Sequence, residues 1–235
     1  MSAVSHQALL AEYARISTPV SLGSAAGAGA STSVTLTTAA AIPSGSLVVV
    51  GIVVGFNAAQ TITGVSDGTN TYTQAVHSAW DATGDVVVDT WYKANASPVG
   101  AGASLTATFS SASLGGGSNV PVICAGYVSG VVASPLDKTN TGKTNNGTVY
   151  ASGSTGALSS AKQIAWGFLG FYNATATVTE GSGFTSLVST LNNSANHWSA
   201  DLTYQIVSAT TALNYQPSTS VNTFGAANLS TYIGA

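Results

Sequence analysis

From residue 32 onward, short stretches rich in Val, Ile, Thr and aromatic residues alternate with clusters of Gly, Asn, Ser and Asp. Branched and aromatic side chains suit a pleated surface, and the small polar residues between them supply turn chemistry. This rhythm places strands near 33–38, 47–56, 60–65, 71–77, 85–94, 104–110, 119–128, 147–151, 162–172, 175–180, 184–191, 197–207, 211–215 and 219–225. Short strands at such spacing predict an antiparallel sandwich or barrel rather than βαβ units. Within 86–93, Val86, Val88, Thr90 and Tyr92 share one face, and Val87, Asp89, Trp91 and Lys93 share the other. In 200–206, Ala200, Leu202, Tyr204 and Ile206 share a face opposite Asp201, Thr203 and Gln205. The expected orientation is tyrosines inward and aspartates outward. Leu47 to Val54 is apolar on both faces, which predicts a strand covered on both sides.

The first 31 residues follow a different pattern. Residues 3–15 hold good helix formers, with Ser2 or Ser5 as caps and Leu9, Leu10 and Tyr13 on one side; Pro19 ends the segment. Residues 20–31 read as a linker of Gly, Ala, Ser and other small residues. The expected organisation is a helical arm and tether over 1–31, followed by one sandwich domain over 32–235. The arm side chains Leu9, Leu10 and Tyr13 are candidate interface residues.

An ordered internal repeat runs through the β region. Val50-Gly51-Ile52, Phe56-Asn57-Ala58 and Thr61-Ile62-Thr63 match Trp166-Gly167-Phe168, Tyr172-Asn173-Ala174 and Thr177-Val178-Thr179 at an offset of 116. Tyr72-Thr73 then matches Phe184-Thr185, and Asp89–Tyr92 matches Asp201–Tyr204, at 112; Thr108-Phe109 matches Thr223-Phe224 at 115. The copies span about 46–110 and 161–225. Each is short for a free-standing sandwich of about 100 residues, which favours one jelly-roll-like domain built from two quasi-repeated halves.

Composition sharpens this picture. Charged residues make up 6% of the 235-residue chain, and the net charge is −3. A surface of Ser, Thr, Asn, Gly and Ala has weak long-range fields, and five scattered cations form no phosphate-binding stripe, which argues against nucleic acid and anionic membrane as partners. Low charge also removes a usual guard against self-association, a state suited to surfaces buried in an assembly. The single cysteine, Cys124, lies in the apolar run Val120–Val128 and reads as a small core hydrophobe. The first fifteen residues lack a signal-peptide apolar stretch, and the run Leu47–Phe56 is half a membrane span, so synthesis in the cytoplasm is the expectation.

Three segments carry a family likeness. Thr61-Ile62-Thr63-Gly64-Val65-Ser66-Asp67-Gly68-Thr69-Asn70-Thr71-Tyr72-Thr73 resembles the V-S/T-D-x-x-G-N-x-Y run of bacterial and phage β-sandwich proteins, with Thr69-Asn70 where Gly-Asn is usual. Thr90-Trp91-Tyr92-Lys93-Ala94-Asn95 resembles their x-W-Y-A/K-x-N strand, and Ser129 to Asp137 their S-G-x-x-x-S-P-L-D element. The likeness covers much of 45–140. It implies the jelly-roll domains of phage head-decoration and tail proteins and of some bacterial surface proteins. The function it implies is a non-enzymatic structural protein on the exterior of a bacteriophage virion, a capsid decoration (cement) protein above all. The partners would be its own copies, a trimer among the arrangements, and a major capsid or tail protein. The alternative is a glycan- or receptor-binding adhesin.

Candidate chemistry is sparse. Asp67-Gly68-Thr69-Asn70 reads as a turn. Asp81 and Asp85, four apart, could hold Ca²⁺ with Asp89 as a third ligand. His77, Trp80, His197 and Trp198 fall in matching regions of the copies, yet no Gly-x-Ser-x-Gly elbow or His-Glu-x-x-His accompanies them. An esterase or glycosidase is therefore the outsider, and a paired carboxylate in a cleft would be its mark. Trp91 and Trp198 are the candidate binding aromatics. Gly115-Gly116-Gly117 lies between strands, so it is no phosphate cradle, and 138–148 reads as a polar surface excursion carrying Lys138 and Lys143.

Overall fold

The computed structural model describes residues 15–56, 61–79, 86–113, 120–172, 176–190 and 198–235, and all its regular elements among them are strands. The first half comprises β1 (Val20–Ala26), β2 (Ser33–Thr37), β3 (Leu47–Gly55), β4 (Ile62–Ser66), β5 (Thr73–Ala79), β6 (Val86–Lys93), β7 (Ser104–Phe109) and β8 (Val122–Val128). Antiparallel pairs are nested: β1 with β8, β2 with β7, β3 with β6. Such nesting is one long ribbon rolled on itself, closed where β3 also pairs β8. The product is a sheet ordered β1-β8-β3-β6-β5 opposed by a smaller sheet β2-β7-β4, the winding of a jelly roll.

The second half repeats the roll with fewer, longer strands: β9 (Val131–Val149), β10 (Gln163–Tyr172), β11 (Val178–Thr179), β12 (Thr185–Thr190), β13 (Trp198–Val207) and β14 (Ser218–Gly234). Its order is β11-β14-β10-β13-β12, with β9 along the far side of β14. β14 pairs β11 near its start and β10 over the rest, so it does the work of β7 and β8 together. β9 likewise spans the places of β1 and β2. The antiparallel sandwich of two quasi-repeated halves is thus present. The repeat unit is larger than the sequence matches indicate, about 20–128 and 131–234, because the outer rungs carry no matching residues.

Three apolar clusters define four layers. One lies inside the first half and joins Val48, Val50, Ile52, Val54, Trp91 and Ile123 to Val34, Leu36, Leu105 and Ala107. Another lies inside the second half, around Leu169, Phe171, Tyr150, Tyr215 and Leu229. The third is the seam between the two large sheets, where Val49, Val53, Val88 and Cys124 meet Trp166, Phe168, Trp198, Leu202 and Tyr232. Every residue of β3 is buried because both of its faces meet a cluster, as its unbroken apolar run predicts. Cys124 is buried in the seam, as expected of a small hydrophobe. Gly51 lets the sheets approach: a Cβ there would lie 2.2 Å from the Phe168 ring.

The structure corrects several expectations. Residues 20–26 are not a tether but β1, hydrogen-bonded to β8 with a bulge at Ser21–Gly23. The partner strand satisfies the backbone, so small side chains suffice. The stretch 138–148 is not an excursion but part of β9, stitched to β14 from Thr139↔Ser230 to Gly147↔Thr223. Residues 211–215 are irregular rather than a strand, and Tyr215 is fully buried. The expected N-terminal helix lies outside the described residues.

The repeat also changes register. Asp89 pairs with Ile52, and Asp201 with Leu169, so the β3–β10 offset is 117 rather than 116. One residue of slip exchanges the faces of a strand. Accordingly Phe56 packs edge-on to Phe109 inside the first half, whereas its sequence counterpart Tyr172 stacks on Phe224 beside the seam.

Candidate functional site

Three carboxylates of this molecule, Asp67, Asp89 and Asp201, are buried. Asp67 follows the strand β4 and is nearly covered. Its Oδ1 accepts the N–H groups of Thr69 (3.0 Å) and Asn70 (2.6 Å), and its Oδ2 accepts Asn70 Nδ2 (3.0 Å) and the Tyr72 hydroxyl (2.9 Å). Asn70 continues the network to the backbone of Ser97 through both amide atoms. Burial pushes the Asp67 carboxyl up, but these hydrogen bonds outweigh it and hold the group below the usual carboxylate range. Burial, followed by the Asp67 charge, pushes the Tyr72 hydroxyl up. With all its lone-pair directions answered, this loop is a clamp, and the turn reading of 67–70 stands.

Asp89 is the centre of a second network on the β5–β6 pair. Alternation predicts it outward; it is fully buried and shares its face with Val87 and Trp91 inside the first half. Both faces of β6 are covered, so alternation alone cannot separate inside from outside. Asp89 Oδ2 accepts Gln74 Nε2 (2.7 Å) and Trp91 Nε1 (3.3 Å), and Oδ1 lies 2.8 Å from His77 Nδ1. The His77 side chain is 41% exposed. Its hydrogen bond to Asp89 raises the imidazole above its ordinary value; burial opposes this, the Asp89 charge adds to it, and Lys143 opposes it.

Asp201 is the counterpart of Asp89 on β13 and is likewise predicted outside; it too is buried, facing the interior of the second half. Its Oδ1 accepts the Ser186 hydroxyl at 2.6 Å. Gln74–Asp89 and Ser186–Asp201 are the same contact at the 112-residue offset. In place of a histidine, Asp201 meets the half-buried Glu180, which follows β11 and is near enough for its carboxyl group to be coupled to that of Asp201. Burial, then the hydrogen bond and charge of Asp201, push Glu180 up to about 8. Burial raises Asp201 as well. Neither Glu180 nor Gln74 stands out in the sequence. The signal that could have found Gln74 and Ser186 is the repeat itself, read across paired strands instead of along one.

The other candidates are placed as follows. Trp91 and Trp198 are buried, Trp91 in the first-half core and Trp198 in the seam against Tyr172 and Phe224, so neither presents a ring for stacking on a ligand. Asp89 is engaged by Gln74, His77 and Trp91 rather than open as a calcium ligand. Leu9, Leu10, Tyr13, Trp80, Asp81, Asp85, Gly115–Gly117 and His197 lie outside the described residues. Among the described residues, no three His, Cys, Asp or Glu side chains gather as metal ligands. A shallow apolar groove of about 320 Å³, lined by Ile16, Ile206 and Val207 with Arg15 and Lys162 beside them, marks where the N-terminal segment joins the body.

His77 and Asp89 have the spacing of two members of a hydrolase triad. Among the described residues no hydroxyl or thiol hydrogen-bonds the imidazole. The Glu180–Asp201 pair has the shared-proton character of acid–base carboxylates, but it spans the interior of a sandwich. Compared with known proteins, the chain matches no family model and no curated sequence.

Proposed function

We propose that this chain is a structural protein on the exterior of a bacteriophage particle, a capsid decoration protein held by contacts of uncharged surface. The observation that carries the reading is where the few charges go. Among the described residues, Asp67, Asp89 and Asp201 are buried; Lys93, Asp137, Lys138, Lys162 and Glu180 are half-buried; Arg15 and Lys143 are the exposed charges. With charged residues at 6% of the chain, the surface has little electrostatic protection against association and little to lose by desolvation when another uncharged surface covers it.

The mechanical character of the fold supports the same reading. Three apolar clusters bind the described residues between 20 and 234 into one body of stacked layers, suited to bearing load. The resemblance of the 61–73, 90–95 and 129–137 segments to phage β-sandwich proteins supplies the particle; the fold alone would not. The adhesin alternative draws on Trp91 and Trp198, and their burial removes its named contacts.

The test is location. Gold-labelled antibody against this chain, applied to intact particles banded from the source culture, is expected to decorate their outer surface. Particles of full density that lack the chain would overturn the proposal. Sedimentation velocity of the full chain beside a variant lacking residues 1–14 then asks whether the N-terminal segment contributes to self-association. The cut must stop there, because β1 begins at Val20.

A further inference from the structure

We propose that Glu180 and Asp201 form a proton-operated clamp across the second half, closed while they hold one proton between them and loosened when that proton leaves. Asp201 projects from β13 of the large sheet, and Glu180 follows β11, which pairs with the start of β14 on the far side of the apolar cluster around Tyr215. Asp201 Oδ1 is occupied by Ser186. Asp201 Oδ2 and Glu180 Oε2 are both shut off from solvent, and no donor among the described residues reaches either. Two carboxyl groups can hydrogen-bond only if one carries a proton, and one shared proton answers both orphaned oxygens.

Among the described residues, the surroundings offer no other neutraliser. Ser186 faces the pair from β12, Thr203 from β13, the buried Tyr215 from the irregular 208–217 segment, and Cys124 lies beyond, on β8. The tyrosine hydroxyl and the thiol are both pushed up by burial and by the Asp201 charge, so they stay neutral through the range in question. No Lys or Arg among the described residues forms an ion pair with either carboxyl group.

The sign follows from which state holds the proton. Glu180 is raised to about 8 in the folded chain, against an ordinary value of 4.5. The clamp's contribution is therefore complete below about pH 4.5, declines as pH rises, and is lost once pH passes about 8. Above that point two anions face each other in a poorly screened interior. The weaker side yields: β11 has two residues and leads into a turn with Gly183 at φ +82°, whereas β13 is held by neighbours on both sides. The expected change is local opening of 178–184, with the seam intact.

Glu180→Gln tests this directly, because its amide can donate to Asp201 Oδ2 but cannot ionise. In the wild-type chain, hydrogen-exchange protection of the Val178, Thr179 and Phe184 amides, corrected for intrinsic rate, is expected to fall about tenfold between pH 7 and 9, the change that one pH unit of lost proton binding produces. In Glu180→Gln it is expected to stay level. Equal declines in both proteins would overturn the clamp. Should the variant fail to fold, ¹³C NMR titration of the wild-type Glu180 carboxyl decides: a midpoint near 8 supports the proposal, and one in the ordinary carboxylate range overturns it. Recovery of protection at pH 9 on adding millimolar CaCl₂ alone, with no carboxyl titration near 8, would also overturn it in favour of a cation.

Discussion

Asp89 and Asp201 occupy matching places in the two halves, on the penultimate strand of each large sheet, facing the interior. Each would be costly as an isolated buried anion. The first half solves this with donors from its own sheet: Gln74, Trp91 and His77 surround Asp89. The second keeps the equivalent of Gln74 in Ser186, loses the indole and the imidazole, and reaches across the layers to Glu180. One carboxyl group is surrounded by donors of its own sheet, the other shares a proton with a second acid. A rolled sheet tolerates a buried acid at this position provided something beside it supplies hydrogen, and the two halves have diverged in what supplies it.

The comparison can be broken most severely at the seam that joins the halves. Gly51→Val would drive a side chain into the Phe168 ring, whose nearest carbon would lie 2.2 Å from the new Cβ. A loss of about 3 kcal/mol or more is expected, and calorimetry should resolve two transitions as the halves uncouple. A single transition at the wild-type temperature would show that the sheets can separate without cost.

A smaller effect distinguishes the two acids. Asp89→Ala strands Gln74 Nε2 and Trp91 Nε1 and should cost roughly 2–4 kcal/mol in urea unfolding. Asp201→Ala loses the Ser186 bond and the shared proton but leaves Glu180 free to remain protonated and neutral, so roughly 1–2 kcal/mol is expected. Equal costs would mean that the two sites are alike despite their different neighbours.

Trp91→Phe keeps an aromatic ring but removes one donor from Asp89, for an expected loss of about 1 kcal/mol. The smallest effect concerns His77. Its pair with Asp89 raises the imidazole, so the pair's contribution is complete below the ordinary histidine value and fades as pH rises through the raised one. Because the ring is 41% exposed, solvent screening keeps this under about 1 kcal/mol. His77→Gln should flatten the melting temperature between pH 6 and 8, and an unchanged slope would show that the imidazole is not the titrating group.

Much of this fold is legible in the chain itself. Thirteen of the expected strands correspond to structure because branched residues and Gly/Asn turns report local backbone preference. β1 and most of β9 are not legible, since Ser, Gly and Ala in β1 and Asn, Thr and Lys in β9 have no apolar alternation; their backbones are held by β8 and β14. The Asp67 turn is legible because its partners lie within five residues. The Glu180–Asp201 pair is not, because 21 residues and a change of layer separate its members.

The sequence by itself determined the strand chemistry, the scarcity of charge, the doubly covered β3 and the existence of a repeat, all properties set by neighbours along the chain. Only the tertiary structure decided which face of each strand is inside, because stacking two large sheets buries both faces and removes the contrast that alternation depends on. It alone brought His77 to Asp89 and Glu180 to Asp201, since a buried carboxylate takes its hydrogen from whatever the packing places beside it.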